Sequence, residues 1–96
     1  MLTFREDAPV TKAVEDAREK WRRFEDAWDL TIWILCRDPT AGSPVTESGA
    51  TRVFVLEGAR SIELPTVILL YHYDSQYVTG RDVQFMDAKY GQAGQA

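Results

Sequence analysis

The sequence predicts an α+β domain, in which an N-terminal long helix or helical hairpin packs on a three- to four-stranded antiparallel sheet. Three observations predict it. Apolar residues between Val10 and Leu35 recur at helical spacing. A junction marked by proline and glycine, Arg37-Asp38-Pro39-Thr40-Ala41-Gly42-Ser43-Pro44, ends that rhythm. Beyond it come short runs rich in β-branched and aromatic residues, the composition of strands.

Leu2-Thr3-Phe4 reads as an edge strand. Pro9 suits the first turn of a helix, and Thr11 or Asp7 can cap its start. Val10, Ala17 and Phe24 recur every seven residues, as do Val14, Trp21, Trp28 and Leu35. The two sets interleave at spacings of three and four, which draws one helical stripe. Glu15, Asp16, Arg18, Glu19, Lys20, Arg22, Arg23, Glu25 and Asp26 then face water, with Glu19-Arg23 and Arg22-Asp26 attracting at i,i+4. Leu30 to Cys36 has strand-like composition, but the stripe keeps its phase through Asp29 and no turn residue intervenes, so helix is the better reading. Asp38-Pro39 stops it, because the residue before proline avoids helical geometry. A single helix over this span is ~40 Å long, more than a small domain's width. A kink or reversal near Arg22-Arg23 would shorten it, although neither glycine nor proline marks one.

Thr40 to Ala50 reads as a loop. Arg52 to Leu56 is a strand, Glu57-Gly58 a turn, and Ser61-Ile62-Glu63 a short strand ended by Pro65. Thr66 to Tyr73 is the best strand. Val67, Leu69, Tyr71 and Tyr73 face one way; Ile68, Leu70 and His72 face the other. Both faces are apolar, which predicts a central strand covered on both sides. Asp74-Ser75-Gln76 is a turn, and Tyr77 to Phe85 a last strand, with Gly80 as a candidate bulge. Residues 1–90 form one domain in this reading, and 91–96 a frayed tail.

Composition narrows function. The chain has 96 residues, 45% of them hydrophobic, and a formal net charge of −4. An acidic chain is a poor default binder of phosphate backbones. Cys36 is the only cysteine, so no disulfide forms within the chain, as expected of a cytoplasmic protein. Met1 to Asp7 lacks the apolar core of a signal peptide, and no apolar run approaches the ~20 residues of a membrane span. One histidine and one cysteine give no metal-ligand spacing, and no cofactor motif is present. Trp21 and Trp28 share one face of the stripe and Trp33 is turned ~140° away, which makes the three a candidate partner-binding set.

A leading helical segment, an Arg37-Asp38-Pro39-x-x-Gly42 exit, then a meander of strands resembles the RelE/ParE toxin superfamily. Leu35 and Ala41 at the exit, the Arg52 to Leu56 strand, Pro65, Val67, Leu69 and Tyr71, and the Val78 to Phe85 strand carry the likeness. The resemblance implies a bacterial toxin neutralised by an antitoxin, acting either as a ribosome-dependent endoribonuclease on mRNA or as a poison of DNA gyrase. For the nuclease it nominates Arg81, Lys89 and Tyr90, late in the chain, with His72 as an acid or base; Arg52 and Arg60 are further candidate cations. It also exposes a departure: the arginine that such nucleases carry on the central strand falls here at Ile68. The other reading, drawn from the heptad spacing of Val10 to Leu35, is a non-enzymatic module that forms a homodimer through its long helix.

Overall fold

The computed structural model describes residues 1–88. Strand β1 (Thr3–Glu6) is followed by helices α1 (Ala8–Ala17) and α2 (Phe24–Arg37). Then come the short strand β2 (Ser43–Pro44), β3 (Thr51–Leu56), a 3-10 turn at Arg60–Ile62, β4 (Thr66–Tyr73) and β5 (Tyr77–Met86). All five strands join one sheet in the order β1-β5-β4-β3-β2. β2 to β5 pair antiparallel, while β1 lies parallel to β5.

The α+β class, the helical state of Leu30 to Cys36, the edge strand at the N-terminus and the central Thr66–Tyr73 strand agree with the sequence. The finer expectation needs correction. The sheet has five strands and is mixed, because β1 adds a parallel pair and Ser43–Pro44 forms a short strand inside the expected loop. Ser61-Ile62-Glu63 is no strand. Its backbone turns as a 3-10 helix and leaves through Glu63 in the left-handed region, at φ 55°.

Of the single long helix and the helical hairpin that the sequence leaves open, the structure has two helices with a reversal that reaches Arg22-Arg23. Residues 18–23 reverse the chain between α1 and α2. A straight rod of ~40 Å would outrun the molecule's longest dimension of 38 Å. Tertiary bonds hold the break open: the Arg23 amide donates to the Glu63 carbonyl at 3.1 Å, and the Trp21 indole donates to Asp87 at 2.7 Å. Arg18 pairs with Glu25 across the joint and Arg23 with Asp26, replacing the i,i+4 pairs expected of a continuous helix. Asp7 precedes α1 with Pro9 in its first turn, as the sequence suggests, but the Asp7 carboxylate makes no capping bond and pairs with Arg81 instead.

Both helices lie on the same face of the sheet. Val10, Val14, Ala17, Phe24, Trp28 and Leu35 from the helical stripe pack with Val67, Leu69, Tyr71, Val78 and Val83. Edge-on aromatic contacts tie the layers, with Trp28 5.6 Å from Phe4 and 5.5 Å from Phe85, and Phe24 4.9 Å from Phe85. The opposite face has no covering layer among the described residues, so the expectation that β4 is buried on two sides is wrong. Among the same residues no helix is long and apolar enough to cross a membrane.

Candidate functional site

The junction motif is a clasp. Asp38 sits at φ −141°, the extended geometry expected before Pro39, and its carboxylate accepts bonds from the Thr40 amide and hydroxyl. The chain then passes over β4. There the Tyr71 hydroxyl donates to the Pro39 carbonyl at 2.6 Å and accepts from the Gly42 amide at 3.0 Å. Tyr71 has no exposed surface, and this burial pushes its phenol pKa up, which keeps it a neutral donor. Gly42 is required by proximity: a Cβ there would lie 2.7 Å from both the Tyr71 hydroxyl and the Val53 carbonyl oxygen.

Arg52 completes the clasp from β3. Its Nε donates to the Gly49 carbonyl at 2.7 Å, and its Nη1 to the carbonyls of Gly42 and Thr40 at 2.8 and 3.1 Å. Five of the residues that carry the family resemblance (Asp38, Pro39, Gly42, Arg52 and Tyr71) therefore act as one structural device. They fasten the helix exit to the sheet, and their chemistry is spent on that bond network.

The surface left over is the open face of the sheet. Strand register places Thr51, Val53 and Val55 of β3 beside His72, Leu70 and Ile68 of β4, and these beside Thr79, Asp82 and Gln84 of β5. Arg81 is the extra residue of a bulge opposite Leu70 and Tyr71, close to the position the sequence suggested. Beyond β5, Arg5 of β1 donates to Thr79 at 3.0 Å and lies 4.0 Å above the Tyr77 ring. The centre of this face is apolar and half-buried, and Val55 keeps 47% of its surface exposed. A shallow depression of about 310 Å³ runs over Val53, Ile68, Leu70, Asp82 and Gln84.

The nominated catalytic residues do not gather. His72 is on the open face, half-buried, with Nδ1 3.2 Å from the Thr51 hydroxyl. Arg81 pairs with Asp7 at 2.9 Å, at the start of α1. Arg52 is held by carbonyls, and Arg60 bonds the Ala88 carbonyl beside Asp87. Lys89 and Tyr90 lie outside the described residues, as does the tail. What sequence reasoning missed is the clasp itself, and the apolar centre as a surface rather than a second buried layer.

The tryptophans also separate. Trp28 is in the core, Trp21 is bound to Asp87 in the turn between the helices, and Trp33 is exposed with the Arg37 guanidinium 4.1 Å from its ring. They are three environments, so the expected single partner-binding set is corrected to Trp33 alone as an exposed ring. Cys36 is buried as expected, and burial raises its thiol pKa, which works against thiolate chemistry.

Comparison with known protein families, with curated proteins and with solved structures yields no match.

Proposed function

We propose that the chain is a toxin-like protein of the RelE/ParE kind that works by docking, and that an antitoxin neutralises it in the bacterial cytoplasm. The observation that carries the reading is the open sheet face, with Val53, Val55, Ile68 and Leu70 at its centre. An RNA-cutting site needs cations and a base converging on a phosphate. Here the centre is apolar, Ile68 stands where an arginine is expected, and Arg52 and Arg81 are engaged within the chain. An apolar, half-buried sheet face suits a protein surface better than a phosphate backbone. The gyrase-directed branch of the resemblance is therefore preferred over mRNA cleavage. The helix-mediated dimer is set aside because Val10, Val14, Ala17, Phe24, Trp28 and Leu35 are spent in the chain's own core.

The test is induced expression of the whole chain in a bacterium. Growth should stop, and co-expression of the product of the adjacent open reading frame should restore it. Primer extension on mRNA after induction should show intact messages, with Arg81→Ala still arresting growth. Codon-phased cuts that vanish in Arg81→Ala would replace this reading with the nuclease, and unimpaired growth would reject the toxin altogether.

A further inference from the structure

The opposite margin of the molecule carries a second surface, independent of the open face. β1 is an edge strand. Its Thr3 amide bonds the Gln76 carbonyl, and the Asp7 amide that follows it bonds the Gly80 carbonyl. Residues alternate in a strand, so the backbone groups of Thr3 and Arg5 address β5 while those of Phe4 and Glu6 point outward. The outward Leu2 amide just before the strand is taken by the Cys36 carbonyl of α2 at 2.9 Å. Among the described residues nothing bonds the backbone groups of Phe4 and Glu6 on that side. Charges often guard such edges, but the Arg5 guanidinium is folded back over Tyr77.

Helix α2 tracks this edge, since Trp28 meets Phe4 and Cys36 meets Leu2. Asp29, Ile32, Trp33 and Cys36 form the flank that looks past the edge. With Met1 and Arg37 they line a mostly apolar hollow of about 240 Å³. Trp33 keeps 54% of its surface exposed there. A strand added beside β1 would place alternate side chains toward the helix layer and so into that hollow.

We infer that the β1 edge and the Trp33 hollow together accept an extended segment of a partner protein, paired to Phe4 and Glu6 through its backbone and anchored by a bulky apolar side chain. The two features fix the occupant's chemistry: free backbone donors and acceptors demand a strand, and the hollow demands an alternating apolar residue. A second copy of this chain does not supply it. The helix-facing residues along its own edge, Leu2 just before β1 and Phe4 within it, are already packed against its core.

The probe is a pool of fluorescein-labelled peptides of about ten residues, in which Thr alternates with Leu, Phe or Trp. Binding to the intact chain is followed by anisotropy. Glu6→Pro removes an outward amide and leaves the β5 ladder whole, and Trp33→Asp charges the hollow. Each should weaken binding by about tenfold or more, while the open-face pair Val55→Thr with Ile68→Thr should leave it unchanged. Hydrogen exchange should show the Phe4 and Glu6 amides slowed only when peptide is present. No binding, equal binding by Glu6→Pro, or weakening by the open-face pair would overturn the proposal. A dimer with those two amides protected in the absence of peptide would overturn it in favour of a second copy.

Discussion

The two faces of the sheet share the same strands yet differ in almost every physical respect. On the helix side, Val67, Leu69, Tyr71 and Val78 have no exposed surface and the aromatic rings meet edge-on. On the other side, Ile68 and Leu70, from the same strand, are only half-buried beside the exposed Val55. Hydrophobicity alone does not separate them. What separates them is the supply of helices, because α1 and α2 both fold back onto one layer. The covered face carries the core, and the open face has no layer packed on it among the described residues.

Substitutions sharpen that contrast, beginning with the largest effect. Trp28→Ala empties the contact between Phe4 and Phe85 and should cost about 3–5 kcal/mol in urea unfolding. Gly42→Ala drives a methyl against the Tyr71 hydroxyl and a backbone carbonyl, for about 2–3 kcal/mol in the same assay. Tyr71→Phe leaves the Pro39 carbonyl and Gly42 amide without their partner and should cost about 1–3 kcal/mol.

Acid probes the hairpin that joins β4 to β5. The Asp74 carboxylate accepts the backbone amides of Gln76 and Tyr77, and these bonds lower its pKa. The native state thus holds fewer protons than the unfolded chain across that interval. Its contribution is whole above about pH 4 and is lost as pH falls through the lower folded value. Asp74→Asn should flatten this part of the pH–stability curve measured by denaturation. Smallest of all in stability is the open-face pair Val55→Thr with Ile68→Thr, at under about 1 kcal/mol, because threonine keeps the strand preference. A large loss of stability from that pair would mean the open face belongs to the core.

The sequence makes the helical stripe, the Asp-Pro stop and the alternation of β4 legible, since each is a local pattern. It hints at the break at residues 18–23 only through the excess length of a single helix, and no local residue marks it. Ala17 and Phe24 remain seven apart whether one helix joins them or a reversal does, and the bonds that hold the reversal come from Glu63 and Asp87, distant in sequence. Alternation on β4 shows that both faces are apolar but says nothing of how many layers exist to cover them. The parallel pairing of β1 with β5 is likewise a tertiary outcome. The clasp is half legible: Pro39, Gly42 and Tyr71 are visible as motif positions, but their mutual bonding needs the fold.

The most direct test of the division of labour is bacterial growth after induction of the native chain and of the Val55→Thr, Ile68→Thr double variant, with urea unfolding of both purified proteins. The account predicts arrest by the native chain and near-normal growth with the variant, at nearly equal stability. Arrest that survives in the folded variant would contradict it.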